Sequence, residues 1–347
     1  MSKYKSVIAA VLLLGLVLSA CGQGSAPAEP TAAPEPTLSP QQVTYAQARA
    51  AYESGDYTGA QALFESLGVY EDSAALASEL DEIIELEARY AAALEAFEAR
   101  DMITAYKAFA ALGDYRDSAE LYAQAAASPA ISQALAAVDA EVGDVVIFGE
   151  YEQDNDLENG PEPLEWIVLD KEEDRVFLLT KYGVDAEPFD PRQNTKVTWE
   201  ESHLRNWLNS VFLDAAFSPD HQALIPETLV INEDNAPFHI DAGNDTVDRV
   251  YLLSMQEAAE YFPVRTDNWT VATDYAKAQG AWSNWHENNR EYGNCWWWTR
   301  SPGNGQRFAV IVESDGNIKI QGDYIFRPYG SDRPVIWVDV SALRGEE

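Results

Sequence analysis

A chain that repeats itself must build the same local structure twice, and this one does so near its start. Phe64-Glu-Ser-Leu67-Gly68-Val-Tyr70-Glu-Asp72-Ser73-Ala74 matches Phe109-Ala-Ala-Leu112-Gly113-Asp-Tyr115-Arg-Asp117-Ser118-Ala119 at an offset of 45 residues. Tyr52 and Phe97, and Ala60 and Ala105, align at the same offset. The flanking sequence is rich in alanine, with apolar residues at helical spacing, so the unit is a helical hairpin. In each copy a helix ends at Leu-Gly, with the glycine as C-terminal cap. Asp72 or Ser73, and Asp117 or Ser118, are placed to start the next helix. The helix after the first copy is expected to run through Leu76, Leu80, Ile83, Ile84, Leu86 and Tyr90 into Leu94 and Phe97. Two copies are few for a self-standing solenoid. Residues 43–140 are therefore read as a helical region that leans on a following domain or closes into a small bundle.

What precedes this region reads as an address. Lys3 and Lys5 open the chain, an apolar run spans Val7 to Val17, and Leu18-Ser19-Ala20-Cys21 closes it. A charged start, a short apolar run and small residues at the cut make residues 1–20 a secretory signal. The run is too short for a comfortable membrane span. The Leu-Ser-Ala-Cys ending resembles the lipobox of bacterial lipoproteins. That resemblance implies a mature chain starting at a lipid-modified Cys21, anchored to the bacterial cell membrane on its extracytoplasmic side. Residues 21–42 hold Pro27, Pro30, Pro34, Pro36 and Pro40 among small and polar residues. Such a linker stays extended and solvated.

The chain carries 58 acidic against 23 basic residues, a formal net charge of −35. Nucleic acid is excluded as a partner, because its phosphates need lysine and arginine. Docking to anionic headgroups is disfavoured on the same ground. With Cys21 lipidated, Cys295 is the only other cysteine, so no intramolecular disulfide can form.

After Ser128-Pro129 and Gly143-Asp144 the character changes to short strands and turns, and residues 141–343 are read as an α+β domain. Strands are expected at 145–149, 164–169, 176–180, 250–253, 308–312, 318–320 and 335–340, with a two-residue turn at Asp315-Gly316. Thr198 with Glu201, and Ser254 with Glu257, read as capping boxes. Ser218-Pro219 reads as a helix start, and 273–278 as a short helix. Gly293 to Gly303 holds Cys295, the run Trp296-Trp297-Trp298, Arg300 and a Ser-Pro-Gly exit. By strand alternation Trp296 and Trp298 share a face with Arg300, and Cys295, Trp297 and Thr299 take the other. The run Asp154 to Gly160 offers alternate acidic oxygens of the kind calcium takes. It lacks the closing glutamate of a helix–loop–helix calcium site, so a solvated hairpin loop is preferred and no cofactor is expected.

Seven ordered pieces resemble a bacterial domain family of unknown function found in secreted and lipoprotein chains. They are Ile147-Phe148-Gly149-x-Tyr151-x-Gln153, Glu165-Trp166-x-Val168-Leu169, Trp199-x-x-Ser202-x-Leu204-Arg205-x-Trp207-Leu208-Asn209, Asp248-x-Val250-x-Leu252-Leu253-Ser254, Trp297-Trp298-Thr299-Arg300-Ser301-Pro302-Gly303, Asp315-Gly316 and Arg333-Pro334. The helical repeats resemble tetratricopeptide-like repeats at a longer period. A further likeness links the domain to the formylglycine-generating-enzyme and C-type-lectin folds, implying an irregular antiparallel sheet with a few helices. The chemistry of those relatives is missing. One cysteine cannot make their copper-holding pair, His203, His221, His239 and His286 are scattered, and the lectin calcium tripeptides do not occur.

The candidate ligand-binding residues are Trp282, Trp285, Trp298, Arg300, Arg205 and Arg333. Trp282 and Trp285 sit in a polar loop, where exposed rings suit sugar or peptide stacking. The arginines stand among aromatics, where they serve either as clamps or as carboxylate receptors; Trp207, Trp298 and Trp337 are the expected neighbours. No catalytic residue is assigned, and Cys295 is read as a small buried hydrophobe. The expected function is a cell-surface lipoprotein acting as a non-catalytic binding or envelope module, with a glycan, peptide or envelope protein as ligand. Two alternatives stay open: an envelope enzyme related to formylglycine-generating-enzyme-like proteins, and an assembly protein acting through the helical repeats.

Overall fold

The computed structural model describes residues 38–286 and 290–344. Cys21, the leader and most of the linker lie outside the described residues. The chain divides into two units, residues 1–81 and 82–347.

In the first unit, helix α1 (Pro40–Ser54) opens at Ser39, which forms a capping box with Gln42. The helix therefore begins inside the stretch expected to be linker, because proline is tolerated in a first helical turn. Helix α2 (Tyr57–Leu67) is capped by Asp56 and ends at Gly68, whose φ is 56°. Helix α3 (Ser73–Glu98) contributes its first turns here. The Tyr45 hydroxyl donates to Asp72 Oδ1 at 2.5 Å, and its ring meets Phe64 and Tyr70 edge-on.

The second unit opens with the rest of α3, then α4 (Met102–Leu112), α5 (Ser118–Ala126) and α6 (Pro129–Asp139). The α2 cap, the glycine end and the tyrosine–aspartate bond of the first copy recur 45 positions on, whereas the Ser39–Gln42 box does not, since its equivalent positions lie inside α3. Asp101 caps α4, Gly113 ends it at φ 57°, and Tyr90 donates to Asp117 with its ring edge-on to Phe109 and Tyr115. Glu71 and Arg116 sit at equivalent left-handed positions, φ 50° and 54°. The next helices start where expected, α3 at Ser73 and α5 at Ser118 with Asp117 at the cap position; Asp117 makes no side-chain cap bond, and the carboxylates of Asp72 and Asp117 receive the tyrosine hydroxyls instead.

The rest of the second unit is a mixed α+β domain of antiparallel strands. A five-stranded sheet has the order β1-β2-β3-β10-β6, with β1 (Val145–Tyr151), β2 (Glu162–Lys171), β3 (Arg175–Thr180), β6 (Val250–Tyr251) and β10 (Val335–Asp339). A two-stranded ribbon joins β4 (Thr228–Val230) to β5 (Thr246–Asp248), and a three-stranded sheet orders β7 (Trp297–Pro302), β8 (Phe308–Val312) and β9 (Ile318–Tyr324). Helix α6 packs on β1, β3 and β10. One core runs from the second helical copy through Phe148, Trp166, Leu208, Phe212, Leu252, Trp297 and Trp298 to Ile336.

The Ser254–Glu257 capping box opens α10 (Met255–Tyr261) as expected. The Thr198–Glu201 box does not form. Residues Trp199–Glu201 make a 3-10 turn, and Ser202 caps α7 (His203–Trp207) instead. A single π-helical turn, Leu208–Phe212, follows before α8 (Leu213–Ala216); α9 (Pro219–Ala223) and α11 (Asp274–Gln279) are short. No described helix is long and apolar enough to cross a membrane.

Candidate functional site

The three arginines are held by the chain itself. Arg300, 4% exposed, grips both carboxylate oxygens of Glu257, with Nη2–Oε1 at 3.0 Å. It also donates to the Leu252 carbonyl at 2.8 Å and the Ile231 carbonyl at 3.0 Å. Arg205 donates Nε–H to Asp248 Oδ1 at 2.7 Å and reaches the carbonyls of Glu200 and Val247. Arg333 donates Nε–H to the Thr180 carbonyl at 2.9 Å and lies 5.3 Å from the Trp297 ring centre. Burial lowers the Arg333 pKa to about 10. The aromatic neighbours differ from those expected. Arg300 lies over Tyr251 and Arg333 over Phe262 and Trp297, while Trp337 carries Arg175. The expected partners were near neighbours in sequence, whereas these contacts are long-range: Arg300 of β7 meets Tyr251 of β6, and Arg333 meets Trp297 of β7 and Phe262 just after α10. Trp298 is fully buried against Phe189 and Trp296.

The flank of the same strand is different. The Trp282 N–H donates to the Tyr329 carbonyl at 3.0 Å, and Ser331 N–H to the Trp296 carbonyl at 2.9 Å. Those bonds draw the loop before β7 and the segment after β9 together over the edge of the three-stranded sheet. Gly330 is obligatory there, since a Cβ would lie 2.4 Å from Trp298 Nε1 and 2.6 Å from the Trp296 ring. The result is an open groove of about 320 Å³. Trp282 (38% exposed), half-buried Trp296 and Tyr329 (52% exposed) supply its rings, with Ile311 among its lining. Its polar groups come as two ion pairs, Arg327 Nε with Asp323 Oδ1 at 3.0 Å and Lys319 Nζ with Glu313 Oε1 at 3.7 Å. Such pairs hold donors and acceptors in place while leaving them wet. Trp285, 68% exposed, stacks on His286 and does not line the groove.

Sequence reading missed Tyr329, Asp323, Arg327, Lys319 and Glu313, and did not place Trp296 among the candidate ligand residues. A signal existed: Tyr324, Phe326 and Tyr329 stand between Gly322 and Gly330, the same rings-among-turns pattern as the Trp282 loop.

The remaining chemistry is buried. Cys295 is 1% exposed beside Ser331, and burial pushes its thiol up to about 11, far from the reactive thiolate. Asp332 lies fully buried next to Asp185. Burial first, and the Asp185 charge second, raise its pKa well above the carboxylate range. Asp332 Oδ2 accepts the Glu187 N–H at 2.7 Å, and Tyr151 donates to Asp185 at 2.5 Å. Of the run first considered for calcium, Asp154 joins Glu152 and Glu162 in a cluster with carboxylate oxygens within 4.8 Å of one another. Glu162 Oε2 is already used by the Gln153 N–H at 2.7 Å, and Asp154 by Asp156 N–H and Asn159.

Residues 173–340 match a family model described as a domain of unknown function, DUF6273. Five of the seven motif pieces fall inside that span, and the two on β1 and β2 precede it. No curated protein and no solved structure matches the chain.

Proposed function

We propose that the chain is a lipid-anchored, extracytoplasmic binding protein whose groove at Trp282, Trp296 and Tyr329 takes a glycan. The anchor reading rests on the Leu18-Ser19-Ala20-Cys21 ending and the proline-rich spacer after it. The groove carries the ligand reading. A sugar ring has apolar C–H faces and polar edges, and it suits rings flanked by fixed donors and acceptors. Indole and phenol faces at Trp282, Trp296 and Tyr329 border the Asp323–Arg327 and Glu313–Lys319 pairs in that pattern. The volume fits one or two rings. Arg205, Arg300 and Arg333 play a different part in this reading: they tie segments of the domain to one another and do not line the groove. In this reading binding is non-catalytic, and the burial that raises the Cys295 pKa supports taking that thiol as packing rather than as a nucleophile.

The ligand reading is tested by a glycan array probed with the soluble mature chain carrying Cys21→Ser. Hits that disappear for Trp282→Ala support it, and an array without hits contradicts it. The anchor is tested separately by labelled palmitate: incorporation by the full chain and none by Cys21→Ser is expected.

A further inference from the structure

Sheet edges expose unpaired main-chain groups, and folded proteins cover, charge or interrupt them. The five-stranded sheet treats its two edges differently. At β6 the Asn209 side chain closes the edge. Its Oδ1 accepts the N–H groups of Arg249 and Val250 at 2.9 and 3.1 Å, and its Nδ2 donates to the Val250 carbonyl at 2.8 Å. At β1 the edge is open. Lys181 N–H bonds the Glu165 carbonyl from the β3 side, and Val146 opposes Trp166. By antiparallel alternation Val146 bonds toward β2, so Val145 and Ile147 turn their N–H and C=O groups outward. Among the described residues those four groups have no partner. The open stretch ends where Gln133 Oε1 accepts the Gly149 N–H at 2.9 Å.

The side chains along this edge are apolar and exposed, Val145 by 47% and Ile147 by 44%. Small residues, Ser132 and Ala136 of α6 and Ala140 just after it, form the opposite wall of a groove of about 520 Å³. Gln133 also lines a larger cleft of about 1080 Å³, which reaches Gly149. That cleft is lined by Asp101, Glu150 and Asp220 against one cation, Arg100; Asp101 Oδ1 and Asp220 Oδ2 each already accept an α4 N–H, at 3.1 and 3.3 Å, which leaves the second oxygen of each and Glu150 for a basic group.

We propose that the α6–β1 groove accepts an extended, lysine- or arginine-bearing peptide segment of a partner as an added strand, with a basic side chain entering the adjoining acidic cleft. Main-chain bonds to Val145 and Ile147 supply the pairing, and the groove walls and cleft supply the selection. Charge complementarity decides the occupant. A second copy of this chain, at net charge −35, would bring acid against acid. The chain's own linker carries Pro27, Pro30, Pro34 and Pro36 with Glu29 and Glu35, and prolines cannot donate to a ladder.

The test is hydrogen exchange on the mature chain carrying Cys21→Ser, with an alternating valine–lysine octapeptide as probe. Protection of the Val145 and Ile147 amides is expected. A valine–glutamate peptide of the same length should bind at least about tenfold more weakly, and so should the lysine peptide to Ala136→Lys. Ala136 is exposed on α6, so that variant keeps its fold, which circular dichroism checks. Equal binding of both peptides, binding that leaves those amides unprotected, or no binding at about 1 mM peptide overturns the proposal. Amides protected without peptide, increasingly with protein concentration, overturn it in favour of self-association. None of these readings involves Trp282, so failure here leaves the glycan reading standing.

Discussion

Arg300 and Arg327 are both arginines beside aromatic rings and paired with a carboxylate, yet they do opposite things. Arg300 is buried, and every contact it makes is to its own chain: Glu257, two carbonyls and the Tyr251 face. Arg327 is 44% exposed in its side chain and pairs with Asp323 at the mouth of a groove. A desolvated cation needs partners within the fold, because an orphan costs several kcal/mol; Arg300 has them through both Nη groups, and its Nε alone is without a hydrogen-bond partner. A wet cation can exchange its partner for a ligand at little cost. The candidates therefore divide into those that hold the domain together and those on its surface that remain free to bind.

The division breaks first, and most visibly, at Arg300. Arg300→Ala should lower unfolding free energy by about 3 kcal/mol, read by urea denaturation, since it strands partly exposed Glu257 and the carbonyls of Leu252 and Ile231. A loss below about 1 kcal/mol would move Arg300 to the surface class.

Asp332 sharpens the buried class through pH. Its pKa in the fold is raised, so the stability it contributes is complete below the ordinary carboxylate pKa and is lost as pH rises through the raised value. Asp332→Asn, which mimics the protonated acid, should flatten that decline and unfold at a higher temperature than the parent at pH 8.

His221 works in the opposite direction. Its Nε2 faces Gln133 Oε1 at 2.9 Å, and that oxygen only accepts, so Nε2 carries the proton and Nδ1 accepts from the Ser218 hydroxyl. Burial lowers its pKa from 6.5 to about 4. Its contribution is present above pH 6.5 and is lost as pH falls through about 4. A thermal-melt series from pH 7 to 4 should decline in the parent and decline less in His221→Gln.

The smallest stability effect belongs to the groove. Trp282→Ala should cost about 1 kcal/mol or less, while removing ligand contact. A large loss of stability there would erase the division.

Much of the framework was legible in the sequence because it is coded locally. The Leu-Gly ends, the Ser254–Glu257 box and the hairpin at Asp315-Gly316 each need only a few neighbouring residues, although that hairpin closes over three residues, with Glu313 N–H on the Asn317 carbonyl, rather than the two expected. The repeat even reproduces its tyrosine latch, with Tyr45 on Asp72 and Tyr90 on Asp117. The Thr198–Glu201 box failed because Ser202 competes as a cap one turn later and wins. The groove was only half legible. Trp282 stood out as a ring in a polar loop, but Tyr329 reaches it through a main-chain bond spanning 47 residues of sequence, from Trp282 N–H to Tyr329 C=O. Likewise nothing local distinguishes Arg300 from Arg327. Burial, set by the packing of strands far apart in the chain, makes one a clamp and leaves the other wet.

The central claim is that the groove, rather than the exposed loop tip or the buried arginines, meets the ligand. Isothermal titration of an array-selected glycan into the parent, Trp282→Ala and Trp285→Ala chains tests it most directly. Affinity is expected to fall about tenfold or more for Trp282→Ala, the loss of one stacked ring face, and to stay unchanged for Trp285→Ala. Unchanged affinity for Trp282→Ala, or a loss confined to Trp285→Ala, would contradict it.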